Sequence, residues 1–223
     1  MFILLLRSVN KQLFNMLLEV FADLGYLLLL INTIVFSIGF FNKGKAYRIF
    51  SGYLMIMFFI QITVSIFQYM KMDNLFISHF YFILQFVFLS FFYLNLKLNF
   101  YQKKYVKGGF IFCLVSLSIQ YSMNPSLFMK FNLFEIFITS FLIVTYATFH
   151  LYNLLNEEKE FYYVNLGILI YLFGSTVLFL GGNLAAMLSS KYNDVPWILN
   201  AFLYIIYQLF ILYEWKKSFS KKI

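Results

Sequence analysis

Residues that build disulfides and metal sites are scarce in this 223-residue chain. It has one cysteine, Cys113, and two histidines, His79 and His150. A lone cysteine excludes an intramolecular disulfide framework and a thiolate metal site. Two distant histidines do not supply the three ligands of a catalytic zinc. Retinal would need a lysine in the seventh apolar segment, and 198–213 contain none. We therefore predict no metal and no other cofactor.

Charged residues are also scarce, at 12% of the chain against about 25% in a typical soluble domain. Hydrophobic residues make up 62%, and the mean hydropathy is +0.80. One soluble core cannot bury so large an apolar fraction, because surface scales steeply with size. Apolar runs of 18 residues or more recur along the chain, as in membrane-spanning helices. The predicted fold is an all-α polytopic integral membrane protein.

Short polar or glycine-containing breaks divide the chain into seven predicted spans. They run over 20–41, 49–70, 75–96, 108–122, 131–153, 163–188 and 197–214. The fourth is the shortest, because the basic stretch 97–109 reads as a loop. We therefore divide the chain into an N-terminal segment (1–19), a transmembrane domain (20–217) and a basic cytoplasmic tail (218–223). The first segment is either an interfacial helix or lies before a translation start at Met16, which we favour.

The distribution of lysine and arginine predicts the orientation. With the N-terminus outside and the C-terminus inside, twelve of the seventeen basic residues fall on the inner segments and five on the outer ones. The net charge of +8 is thus explained by loops. No basic soluble module for nucleic acid is visible, so we expect no nucleic-acid partner. The basic segments 42–48 and 97–109 suit anionic lipid headgroups or a signalling protein.

Four polar residues share a depth of roughly 3–6 Å below the predicted outer boundary, taking 1.5 Å per helical residue. They are His79, Glu135, Asn200 and Gln68. One interpretation is an outward-facing pocket, in which His79 and Glu135 share a charge and bind a small polar ligand, a lipid headgroup or a proton. The other is interhelical hydrogen bonding, at about 0.6 kcal/mol per bond. Both interpretations stay open at this point.

Two residue patterns predict packing. Gly167, Gly174 and Gly181 recur every seven residues in the sixth span, and such small residues let helices approach closely. Tyrosine and phenylalanine, 18 and 32 residues, are expected to be mostly membrane-facing bulk and interfacial belt.

Three stretches, "FISHFYFILQFVFLSFFYLNL", "TYATFHLYNLLNEEKEFYYVNLGILIYLFGS" and "WILNAFLYIIYQLFILYEWKK", resemble a group of small seven-helix membrane proteins of Bacteroidetes. The resemblance covers residues 17–217 and rests on His79, Glu135, the stretch 163–174, Trp197 and Asn200. The group commonly has glutamate where this chain has Gln85. Its members are often encoded near sensor histidine kinases, which implies a signalling role in a bacterial inner membrane.

The predicted function is a non-enzymatic membrane sensor or signalling accessory protein with an outward-facing polar pocket. The alternative is a small-molecule transporter built as a three-plus-one-plus-three helix repeat. A third hypothesis is an intramembrane enzyme that acts on lipid. The predicted partners are the bilayer, a small polar ligand or lipid headgroup, and a signalling protein at the cytoplasmic loops.

Overall fold

The computed structural model describes residues 2–155, 159–188 and 195–220. Within these ranges seven helices are long and apolar enough to cross a membrane, as predicted, and there is no strand. The helices are α1 (Phe2–Ile38), α2 (Lys45–Tyr69), α3 (Ile77–Leu94), α4 (Phe100–Met123), α5 (Leu133–Asn153), α6 (Tyr162–Leu188) and α7 (Val195–Glu214). The membrane-length part of α1 is Met16–Ile38. The choice between Met1 and Met16 stays a prediction.

Two short helical turns complete the fold. A 3₁₀ helix (Pro125–Met129) follows α4, and a π-helical turn (Trp215–Phe219) extends α7. Pro125 and Pro196 both stand in the first turn of a helix, where a missing N–H costs little. Phe219, in the predicted tail 218–223, is partly buried, and its ring packs against those of Phe36 and Tyr47. Residues 221–223 lie outside the described residues.

Six of the helices form a closed ring in the order α1, α2, α3, α5, α6, α7, and α7 packs back on α1. Helix α4 lies outside this ring against α3 and α5. Helices α1, α3, α5 and α7 begin at the end of the bundle that carries His79, which we call the His79 end. The opposite end, where α7 finishes, is the Glu214 end.

Helix α4 corrects the predicted fourth span. It begins at Phe100 and has 24 residues, whereas α3 has 18. Asn99 caps it, since its side chain accepts a hydrogen bond from the Gln102 N–H while the Gln102 side chain accepts one from the Asn99 N–H. Gly109 looked like a loop residue but lies within the helix, and a Cβ there would stand 2.5 Å from the Tyr146 hydroxyl of α5. The glycine therefore permits a close helix approach.

The glycines of α6 permit close helix packing, as predicted, with one correction, and the helix they approach is α7. A Cβ on Gly167 would lie 2.9 Å from Cβ of Phe210, and one on Gly174 would lie 2.7 Å from Leu203. A Cβ on Gly181 would meet nothing within 4 Å, and Gly182 makes the third close approach instead, to Pro196. A straight helix drifts by about 20° per heptad, so a seven-residue repeat leaves the contact line.

The expectation for tyrosine is wrong for an inner group. Six tyrosines are less than 9% exposed and point into the bundle: Tyr47, Tyr53, Tyr93, Tyr146, Tyr171 and Tyr207. The hydroxyls of four of them lie within hydrogen-bonding distance of other polar side chains: Tyr53, Tyr93, Tyr171 and Tyr207. The Tyr146 hydroxyl instead donates to the Val106 carbonyl oxygen of α4. Burial of a tyrosine is tolerated where its hydroxyl finds a hydrogen-bond partner.

Candidate functional site

His79 and Glu135 meet directly. His79 stands in the first turn of α3 and Glu135 in the first turn of α5, and Nδ1 of His79 lies 3.1 Å from Oε2 of Glu135. Their exposed fractions are 1% and 0%. The structure therefore brings together the two titratable residues that the shared depth singled out, inside protein and away from solvent.

Helix α4 completes this pair with Tyr121. Its hydroxyl lies 2.9 Å from Nδ1 of His79 and donates a hydrogen bond to Oε2 of Glu135. Asn132 donates through Nδ2 to the Tyr121 hydroxyl at 3.1 Å and accepts from the Glu135 N–H at 3.3 Å, which caps α5. The four side chains form a hydrogen-bonded cluster that holds α4 against α3 and α5. We call His79, Tyr121, Asn132 and Glu135 the His79 cluster.

The His79 cluster is closed. The Phe128 ring of the 3₁₀ helix stacks on the His79 ring at 5.1 Å with an interplanar angle of 24°. Nε2 of His79 and Oε1 of Glu135 are buried and have no hydrogen-bond partner among the described residues. The burial of His79 and Glu135 leaves these two side chains little open surface on which a larger ligand could rest.

Asn200 occupies a different place at the same end. It lies in the second turn of α7 and lines a cavity of about 250 Å³ within the ring. The lining residues come from α1, α2, α3, α6 and α7 and include neither His79 nor Glu135. Polar groups are supplied by Tyr26, Gln61, Tyr81, Tyr171, Asn200 and Tyr204.

One polar atom at the cavity, Oδ1 of Asn200, lacks a hydrogen-bond donor among the described residues. The Asn200 side chain lies beside the Tyr171 hydroxyl, yet its Oδ1 is buried and lacks a hydrogen-bond partner within the described part of the chain. A buried acceptor without a donor costs about 1–3 kcal/mol. Trp197, with 46% of its surface exposed, stands at the rim.

Gln68 takes part in neither place. It lies at the end of α2, its side chain is exposed, and the cavity lining does not include it. The four residues of the predicted pocket are thus distributed over a closed cluster, a cavity and the surface. Ligand binding by any of them stays a prediction.

A group of polar side chains that extends from the cavity lining towards the Glu214 end was not identified from the sequence. The Tyr81 hydroxyl lies 3.3 Å from that of Tyr171, and Gln85 donates to the hydroxyls of Tyr53 at 3.2 Å and Tyr81 at 3.4 Å. Tyr207 donates to Tyr53 at 3.3 Å. The sequence does contain one indication of this group, because Tyr81 and Gln85 are four residues apart and so share a helix face.

Two further polar residues bind helices together. Nδ2 of Asn32, on α1, donates at 2.9 Å to both the backbone oxygen and Oε1 of Gln208 on α7. At the Glu214 end, the fully buried Glu214 accepts a 2.7 Å hydrogen bond from the Tyr163 N–H at the start of α6. His150 is buried, and its Nε2 lies 3.0 Å from the Glu160 carbonyl oxygen.

Among the residues that the structure describes, no three His, Cys, Asp or Glu side chains lie close enough together to hold a metal ion. Comparisons of the chain with protein-family models, with curated proteins and with solved structures find no match. The function of the site therefore has to follow from the chemistry of its residues.

Proposed function

We propose that this protein is a membrane receptor that binds a small uncharged molecule in the cavity beside Asn200. The observation that carries the proposal is the buried Oδ1 of Asn200, which lacks a donor among the described residues. A ligand that donates a hydrogen bond to this oxygen would remove the cost of leaving it unpaired.

The lining selects the class of ligand. The described side chains around the cavity are aromatic, aliphatic, amide or hydroxyl, and none of these is charged. An ion brought into such surroundings would lose its hydration without gaining a counter-charge. The volume of about 250 Å³ lies just below the range of about 300–1,000 Å³ of drug-sized sites. A compact neutral molecule with one hydroxyl or N–H donor fits both limits.

Tightly packed side chains next to the cavity favour ligand binding over transport of the ligand across the membrane. Between the cavity and the Glu214 end the ring interior is filled by the buried side chains of Tyr53, Phe50 and Phe92. Phe50 and Phe92 have their ring centroids 5.1 Å apart. A transporter with a repeat architecture would be expected to break helices at its substrate site, whereas α1, α2, α3 and α7 pass the cavity as continuous helices. The receptor is therefore preferred to the transporter.

The orientation of the chain decides which side of the membrane the cavity and the basic segments would face. With the N-terminus outside, the cavity opens towards the outer face, and the basic segments 42–48 and 97–109 lie on the inner face. A ligand-dependent change would then be read by a signalling protein at these segments. The resemblance to Bacteroidetes proteins supports a bacterial inner membrane as the location.

Tryptophan fluorescence tests ligand binding directly. The chain has two tryptophans, and Trp215→Phe leaves Trp197, which lines the cavity, as the only one. We would titrate this variant in detergent with 1-butanol, cyclohexanol, 1-hexanol and hexanoate, none of which absorbs where tryptophan does. We expect a saturable change with at least one of the three neutral donors and none with the hexanoate anion.

Two cavity variants serve as the specificity control. Asn200→Leu removes the acceptor and should weaken binding about fivefold or more, since one hydrogen bond is worth about 1 kcal/mol. Ala201→Leu reduces the volume of the cavity and should also weaken binding. Leu209→Ala, on the outer face of α7, should leave binding unchanged. Equal responses in all variants, or no saturable response, would overturn the proposal. Saturable uptake of the bound probe into proteoliposomes would favour the transporter.

A further inference from the structure

A second recess lies at the Glu214 end, on the outer surface of α7. It is an open groove of about 590 Å³ between α7 and the start of α6. The groove is lined by Tyr163, Ile206, Leu209, Leu212, Tyr213 and Lys216, together with Phe210. Its walls are apolar, and Lys216, the one cation among the described lining residues, stands at the C-terminal limit of the groove.

The length of the groove matches one acyl chain. From Ile206 to Lys216 the helix rises about 15 Å at 1.5 Å per residue. The hydrocarbon core of a bilayer is about 30 Å thick, so one leaflet contributes about 15 Å. The groove therefore runs from the headgroup level, marked by Lys216, towards the middle of the bilayer.

Two of the described residues at the headgroup level of the groove are exposed lysines. Lys216 is exposed and makes no side-chain hydrogen bond or ion pair with the residues that the structure describes. Lys217 stands beside it, and its Nζ donates to the Tyr163 hydroxyl at 2.7 Å and lies 4.7 Å from the centre of that ring. The nearby Glu214 is fully buried and accepts from Ser218 and the Tyr163 N–H.

The wide turn at the end of α7 produces this arrangement. The π-helical turn Trp215–Phe219 carries both lysines and buries Phe219 against Phe161, with ring centroids 5.2 Å apart. Such turns often occur at functional sites. Here the turn anchors the end of α7 in the core, while two adjacent lysines stay at the surface above the groove.

We propose that this groove binds an anionic phospholipid, with one acyl chain along Ile206, Leu209 and Tyr213 and the phosphate at Lys216 and Lys217. Basic recesses between transmembrane helices are suited to anionic headgroups. The proposal is independent of the cavity at the other end and of its ligand.

Lipid competition in detergent tests the assignment. In a Trp197→Phe background the only tryptophan is Trp215, next to Lys216. We would measure quenching of Trp215 by phosphatidylglycerol and by phosphatidylcholine, both carrying brominated acyl chains. We expect phosphatidylglycerol to quench at a concentration at least fivefold lower, since one basic residue near an anionic surface contributes a factor of about five.

Three variants separate headgroup, chain and background. Lys216→Gln, which breaks no observed contact, should abolish the preference for phosphatidylglycerol. Leu209→Phe narrows the groove without adding a second tryptophan, and it should weaken quenching by both lipids. Lys71→Gln with Lys130→Gln, two exposed lysines at the His79 end, is the charge control and should change nothing.

Each other outcome overturns the assignment. Equal quenching by the two lipids would show no anion site. An equal loss of the preference in the Lys71→Gln, Lys130→Gln control would show general charge attraction. Full competition by inorganic phosphate would show a phosphate site without a chain groove, and a dimer that excludes both lipids would show that a second copy of the chain covers α7.

Discussion

Nδ1 of His79 lies 3.1 Å from Oε2 of Glu135, although 56 residues separate them in the chain. Both side chains are enclosed by α3, α4, α5 and the Phe128 ring. A histidine in an apolar run is thus explained by a buried carboxylate partner. The pair joins two ring helices at the end where both begin.

Loss of either partner should destabilise the bundle. We expect His79→Ala and Glu135→Ala each to cost about 1–3 kcal/mol, because the remaining polar group stays buried without its partner. Thermal unfolding in detergent measures the cost. The double variant should cost less than the sum of the two, with a coupling of about 0.5–3 kcal/mol. Additive losses would show that the contact contributes nothing specific. Asp23→Ala, at an exposed position of α1, is the control.

The glycines of α6 provide a matched pair of substitutions. Gly167→Ala would place a methyl group 2.9 Å from Cβ of Phe210, which is fixed to the α7 backbone. We expect a loss of about 1–3 kcal/mol from overpacking. Gly181→Ala meets nothing within 4 Å and should be neutral or stabilising by up to about 1 kcal/mol, because alanine favours helix. Equal melting temperatures for the two variants would contradict the observed contact between α6 and α7.

Glu214 caps the start of α6 from the end of α7. Glu214→Ala removes the acceptor of the Tyr163 N–H, and we expect it to cost about 0.5–2 kcal/mol, as the loss of a helix cap does. Glu214→Gln keeps one acceptor oxygen and should cost less. Hydrogen exchange at the first turn of α6 should rise in the alanine variant alone. Glu160→Ala, an exposed acid nearby, should leave that exchange unchanged.

The orientation can be tested by cysteine labelling, because the single native cysteine, Cys113, is buried. We expect a membrane-impermeant maleimide to modify Met72→Cys in intact bacterial cells, since the α2–α3 connection lies outside in the proposed orientation. Asn42→Cys, in the α1–α2 connection, should react only after the cells are opened. The reverse pattern would place the cavity at the inner face.

The sequence by itself determined the number of spans, their approximate positions and the polar residues that share a depth. This follows because each helix in a bilayer satisfies its own backbone hydrogen bonds, so apolar length alone identifies it. The start of α4 was missed, since a capped basic first turn resembles a loop when only hydropathy is read.

The tertiary structure decided which polar residues meet. Depth along a helix can be read from residue numbers, but the order of helices around the ring and the direction of each side chain depend on packing among all of them. His79 faces α4 and α5, Asn200 faces the ring interior, and Gln68 faces outward, although their depths are similar. The inner tyrosines were hidden for the same reason, because a tyrosine in a membrane helix is compatible with lipid, interface or core until its neighbours are known.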